Sequence, residues 1–278
     1  MKKLYVKLIV CACILLISGG LKAQTLKGIG KKIGKKVESV INNTIEEGEK
    51  TSSSSTGPTK TSNPSKYGPF EDLQGMKYDF QRGRERVFYD DFSKDAVGEM
   101  AQRWTSNGRG EVNTVEGIEG QWLQLFDGNT YKIKELIRIP EDFTLEFDVL
   151  SFSEHKHEFA LDFGFDYEKG VGKHYYVAEE NPVNIRASYR FNYFQFNSKE
   201  TSPKKESMVK ANMSTFVNDI MKVKIRVEGR RMRTYINDYK ILDTEMTDPS
   251  IKKYFYLALN SDDKSGSVYV SNFRIDKI

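Results

Sequence analysis

From about residue 78 onward, apolar and polar positions exchange places one residue at a time. Phe143, Leu145, Phe147 and Val149 alternate with Thr144, Glu146 and Asp148. Phe159, Leu161, Phe163 and Phe165 alternate with Ala160, Asp162, Gly164 and Asp166. A period of two puts each apolar set on one face of a strand and each polar set on the other. Val223, Ile225 and Val227 repeat the pattern, and Glu228-Gly229-Arg230 then reads as a turn into a strand from Met232 to Ile236. Asn237-Asp238 marks the next turn, and two closing strands flank the polar stretch 261–266. Roughly a dozen short strands with polar turns, and no competing helical period, predict an all-β fold: a two-sheet antiparallel sandwich over residues 76–278.

Upstream, the period changes. Leu26, Ile29, Ile33, Val37, Val40, Ile41 and Ile45 recur at steps of three and four, predicting a short amphipathic helix over 24–47. Lys27, Lys31, Lys32, Lys35 and Lys36 crowd its start, where they oppose the macrodipole, and Gly28, Gly30 and Gly34 weaken it. Such a helix needs a cover for its stripe. A membrane surface in peripheral contact with residues 26–45 and a second copy are the candidates, with a frayed tail as the plain alternative. Residues 48–75 are rich in Ser, Thr, Gly and Pro and are expected to be a flexible linker.

The first 23 residues have the layout of a secretory signal peptide: Lys2, Lys3 and Lys7, an apolar run over 8–17, and Ala23 before the expected cut. Taking that segment away changes the charge. The 278-residue chain carries 43 Lys+Arg against 39 Asp+Glu, but residues 1–23 hold four lysines and no acid, so the exported chain is expected to be neutral overall. A neutral chain has no global field for nucleic acid, and no such partner is expected. Both cysteines, Cys11 and Cys13, lie in the leader, which excludes disulfides, cysteine-ligated zinc and thiol catalysis from the exported part. Cys13 as a lipid-attachment site would leave too short an apolar segment, so export without a lipid is preferred. The expected location is the periplasm, the outer membrane's surface or the outside of the cell.

Several segments together resemble a known family. Phe88-Tyr89-Asp90-Asp91-Phe92-Ser93, then Trp104-Thr105-Ser106-Asn107-Gly108, then Gly120-Gln121-Trp122-Leu123-Gln124-Leu125 precede Pro140-Glu141-Asp142-Phe143. Tyr235-Ile236-Asn237 and Val270-Ser271-Asn272-Phe273-Arg274-Ile275 complete the set. This is similar to the laminin-G-like, concanavalin-type jelly roll of bacterial envelope proteins, often found ahead of an OmpA-family peptidoglycan-binding domain. The resemblance implies fold rather than activity. The sequence reaches Ile278 with no OmpA-type segment, so peptidoglycan anchoring is not part of the expectation. Gly98-Glu99-Met100-Ala101 stands where relatives tend to carry Phe-Pro, which implies a different local turn.

Candidate chemistry is sparse. Glycosidases on such folds carry a Glu-x-Asp-x-(x)-Glu strand, whose acids flank the sugar bond. Glu146 and Asp148 share a face, but Leu150 and Ser151 stand where the third acid belongs, so the chain is read as no enzyme. His155, His157 and His174 offer at most three zinc ligands without a fixed-spacing motif, and half-buried edge histidines are the plainer reading. Asp90, Asp91 and Asp276 are candidate ligands for a structural calcium, because first and last strands are commonly neighbours in jelly rolls; otherwise no cofactor is expected. Residues 189–196 are the most unusual stretch. Read as one strand, they put Tyr189, Phe191 and Tyr193 on one face and Arg190, Asn192, Phe194 and Phe196 on the other. Sugar rings stack on such aromatics while Arg and Asn read hydroxyls, so Tyr189, Arg190, Asn192, Tyr193 and Tyr175 are the candidate ligand-binding residues. Core packing on both faces is the competing account. The expected function is a non-catalytic envelope or surface module that binds glycan or an envelope protein through the concave sheet. The alternatives are a structural or adhesive component without a ligand groove and, further off, a glycoside hydrolase.

Overall fold

A computed structural model describes residues 68–71, 73, 76–134, 137–153, 158–171, 181–262 and 266–278. The leader, the helix and most of the linker lie outside the described residues, as do all three histidines and Tyr175. One compact unit comprises Thr56–Thr114 with Gly120–Ile278. Of the other, Met1–Ser55 with Val115–Glu119, the described part is 115–119, a hairpin tip with Gly117 at φ +80°.

The alternation read in the sequence builds two antiparallel sheets. The first has the order β13 (Tyr239–Glu245), β12 (Arg231–Ile236), β11 (Ile220–Glu228), β6 (Phe143–Phe152), β15 (Ser267–Lys277), β4 (Ile118–Leu125) and β3 (Gly110–Val115), with β1 (Glu85–Asp90) also paired to β15. The second runs β10 (Lys205–Lys210), β9 (Tyr193–Ser198), β8 (Val183–Ser188), β7 (Phe159–Asp166), β14 (Tyr254–Ser261), β5 (Thr130–Ile133) and β2 (Trp104–Ser106). The two clearest alternating segments are the central strands β6 and β7, and they face each other. Phe147 meets Phe163 edge-on at 5.3 Å and stacks on Phe273 of β15 at 4.8 Å, while Phe143 meets Phe165 at 5.3 Å. The fold is the expected all-β, two-sheet jelly-roll sandwich. Gly229 and Asn237 adopt positive φ at the two expected turns.

One boundary moves. Phe70 and Leu73, inside the stretch read as linker, are buried. Phe70 bridges to Ala211 and packs against Phe194, Phe216 and Tyr239, so burial of its ring outweighs the polar composition around it. Residues 78–84 then cross the outer face of the first sheet as a strap. Asp79 accepts from the Tyr235 hydroxyl (2.7 Å) and the Lys240 ammonium (3.0 Å), and Arg82 grips Glu146 with two bonds, at 2.5 and 2.8 Å. The Gly83 N–H donates to the Thr144 hydroxyl. An added Cβ at Gly83 would sit 2.6 Å from the Lys277 carbonyl oxygen, so only glycine lets the strap lie this close to β15.

Candidate functional site

Strands β8 and β9 pair with Ser188 opposite Tyr193, leaving residues 189–192 as the connection. The stretch expected to be one strand is therefore a hairpin. Asn192 makes the reversal at φ +58°, a left-handed conformation that asparagine tolerates better than most residues. Its side-chain oxygen accepts from the Met213 N–H (3.1 Å) and its carbonyl from the Ala211 N–H (3.0 Å). Asn192 thus anchors the turn instead of offering its amide oxygen to a ligand.

Tyr189 must also leave the candidate set. It turns inward, stacks on Phe159 at 4.0 Å and is 3% exposed, and this burial pushes its phenol pKa up. The turn resets the alternation, so Tyr189 and Tyr193 do not share a face. Arg190 and Tyr193 lie on the outside of the hairpin. Phe191 joins them, and at 63% exposed it is the most exposed large apolar side chain described. Its ring lies parallel to that of Tyr193, 8° apart in tilt and 6.3 Å between centroids. The Arg190 guanidinium sits 5.2 Å from the Phe191 centroid and 3.6 Å from the Asp262 carboxylate. Ser188, Arg186 and Asn260 help line the adjoining hollow of about 140 Å³. Two parallel rings beside a guanidinium, an amide and a hydroxyl make a platform for a flat, hydroxyl-bearing ligand.

Behind the platform lies a buried polar network that sequence reasoning missed. Asp162 of β7 is 1% exposed and takes both arms of Arg186 (2.9 and 3.2 Å) and the amide of Asn184 (3.2 Å). The Tyr256 hydroxyl donates to the Asn184 oxygen at 2.5 Å. The network holds Arg186 in place along the edge of the hollow. Its one signal in the sequence was an acid at an outward position of an otherwise buried strand.

Glu146 and Asp148 do face outward together, in a second groove of about 380 Å³ lined also by Arg82, Tyr89, Lys222, Lys224, Asn272 and Arg274. Asp148 accepts from the Asn272 amide at 2.8 Å, and burial raises its carboxyl pKa against that bond. Glu146 is engaged by the bidentate Arg82. A double-displacement glycosidase needs one carboxylate free to attack and a second to protonate, about 5–5.5 Å away. Here one acid is tied down and no third acid lines the groove.

The calcium set does not assemble. First and last strands are neighbours, as expected, but Asp276 lies opposite Arg86 while Asp90 lies opposite Phe273. Four residues of strand separate the two, roughly 13 Å. Asp90 is instead spent on the Phe92 N–H (3.1 Å) and the Trp104 indole (3.0 Å), Asp91 on Ser93, and Asp276 on Arg274 at 2.5 Å. Among the described residues no group of three or more His, Cys, Asp or Glu is placed to hold a metal ion.

No family model matches the chain, and no curated protein does. Solved structures do resemble it. The carbohydrate recognition domain of Emp47p aligns with a TM-score of 0.51 at 8% identity, covering 72% of this chain and 98% of that one. A carbohydrate-binding module of Bacillus subtilis, CBM66, aligns at 0.44 and 18% identity over 66% of this chain and 98% of its own. A sialidase aligns at 0.45 and 13% identity over 70% of this chain, which spans only 19% of that enzyme. The likeness to the first of these shows the class of fold alone, a concanavalin-type sandwich, and leaves function to the site.

Proposed function

We propose that this chain is an exported, non-catalytic module of the laminin-G-like type that binds glycan on the outer face of the seven-stranded sheet, at the β8–β9 hairpin. The observation that carries the reading is the exposed, parallel Phe191–Tyr193 pair with Arg190 beside it. A lone exposed phenylalanine at a hairpin tip loses hydrophobic stabilisation in water, whereas two parallel rings next to hydrogen-bonding groups match the apolar face and hydroxyl rim of a sugar. The non-catalytic half of the reading is supported by Glu146, whose carboxylate is committed to Arg82. Export rests on the leader, and association with an envelope surface rests on the apolar stripe over residues 26–45 with the lysines at its start; deleting residues 24–50 should release the protein from membrane fractions. Structures of similar fold named for carbohydrate recognition lend support without deciding the ligand.

The test is a glycan array followed by titration of the best binder. Arg190→Ala with Tyr193→Ala, and separately Phe191→Ala, should each weaken binding by about 30-fold or more, about 2 kcal/mol, as loss of a central anchor does. All three side chains are outside the core, so the thermal midpoint should stay put. Unchanged affinity in both variants would move the site elsewhere. An array with no binder at all would favour a structural envelope role.

A further inference from the structure

The outer face that carries the aromatic platform continues along β9. Tyr193, Gln195 and Asn197 project from the same side, opposite Lys210, Met208 and Glu206 of β10. At the far end a second hollow of about 360 Å³ is lined by Gln195, Asn197, Ser198, Lys199, Lys204, Lys205 and Glu206. Three lysines there face one carboxylate. Lys199, Lys204 and Lys205 are exposed, and none forms an ion pair among the described residues. The side-chain nitrogen of Asn197 is buried with no hydrogen-bond partner, a donor that the fold leaves unspent on the wall of this hollow.

Lysines on an edge strand also discourage sheet-to-sheet pairing, and β10 is an edge. That role asks for charge spread along the strand. Here two of the three lysines, Lys199 and Lys204, lie outside β10 altogether, and all three gather around one concavity at one end. From Tyr193 to Asn197 the strand advances roughly 13 Å, the reach of a short oligosaccharide rather than a single sugar. The second groove, beside Glu146, holds cations too, but there Arg82 and Arg274 are paired with acids, Lys224 donates to the Tyr78 hydroxyl, and two carboxylates, Glu146 and Asp148, share the groove with Lys222.

Resting on the glycan reading above, we infer that the ligand is an acidic polysaccharide: a sugar ring stacks on Phe191 and Tyr193, and a carboxylate or sulfate further along the same chain is held by Lys199, Lys204 and Lys205. The platform supplies shape recognition and the lysines supply the preference for charge, since unpaired exposed ammonium groups attract an oxyanion without first breaking an internal pair.

The experiment compares three oligosaccharides of equal length by calorimetric titration: polygalacturonate, a sulfated heparin fragment and neutral cellohexaose. At least one acidic probe should bind roughly tenfold or more tightly than the neutral one at low ionic strength. Its advantage should vanish as salt rises from about 0.01 M to about 1 M, where the screening length falls from about 30 Å to about 3 Å. The polygalacturonate and heparin arms tell carboxylate from sulfate. Lys204→Glu with Lys205→Glu should erase the acidic preference and leave neutral binding as it was, whereas Phe191→Ala should weaken both. Equal affinity for acidic and neutral probes, or an acidic preference that survives the double charge reversal, would overturn this inference while leaving the glycan reading intact. Binding of no probe, acidic or neutral, would remove both.

Discussion

Phe147→Ala is expected to lower the stability of the sandwich by about 3–5 kcal/mol, the range for deleting a buried phenylalanine where the cavity does not collapse. The ring is 1% exposed at the middle of β6. It stacks on Phe273 at 4.8 Å with a 3° tilt, meets Phe163 edge-on at 5.3 Å and lies 5.8 Å from Phe255. Those three rings come from β15, β7 and β14, so one side chain ties both sheets together, and none of its neighbours can fill the space without leaving the others. Urea unfolding followed by far-ultraviolet circular dichroism measures the loss. Phe191→Ala serves as the control, because that ring is mostly in water and its removal should change stability by less than about 0.5 kcal/mol. A Phe147→Ala loss below about 1 kcal/mol would mean that the two sheets are not held together by this ring cluster.

What could be read from the chain alone follows from how each feature writes itself into sequence. Strands β6, β7 and β11 were legible because one face of each is core and the other is not, which forces a period of two. Phe70 and Leu73 were not, because two isolated apolar residues in a Ser- and Pro-rich setting carry no period at all. The strap over residues 78–84 is held by particular polar bonds, such as Arg82 to Glu146, between positions 64 residues apart, and pattern does not encode partners at that distance. At the candidate site, Arg190 and Tyr193 lie outside, but the period of two had put them on opposite faces of one strand. Tyr189 was misplaced because no glycine or proline marks the hairpin; Asn192 alone makes the turn, and one asparagine among aromatics is a weak signal. The acid cluster failed on register. Adjacency of the first and last strands was inferable, but whether Asp90 and Asp276 meet depends on which rung each occupies.

Lys253→Met should be as costly as the loss of Phe147, for an electrostatic reason. Glu200 has a fully buried side chain, and among the described residues its one paired cation is Lys253, at 3.2 Å and 6% exposed. One carboxylate oxygen also accepts from the Asp248 N–H at 2.5 Å, while the other is buried without a partner. Burial raises the Glu200 pKa, with the Asp248 N–H and Lys253 pulling it back. Removing the ammonium leaves a buried charge uncompensated, which costs about 3–5 kcal/mol. It also takes the ammonium donor from the carbonyls of Asp248 and Ile251, of which the first keeps the Ile251 N–H. The pH dependence has a definite sign. A carboxyl whose pKa is higher folded than unfolded takes its proton first in the folded state, so acidification relieves the penalty and alkali restores it. The variant's deficit should therefore be largest at about pH 7 and shrink toward about pH 5, as Glu200 protonates ahead of its unfolded-state value. Adding Glu200→Gln to the variant removes the charge, keeps an acceptor for the Asp248 N–H, and should recover most of the loss at neutral pH. A deficit that neither falls with pH nor yields to the second substitution would show that Lys253 acts through its bonds to the two carbonyls and not through Glu200.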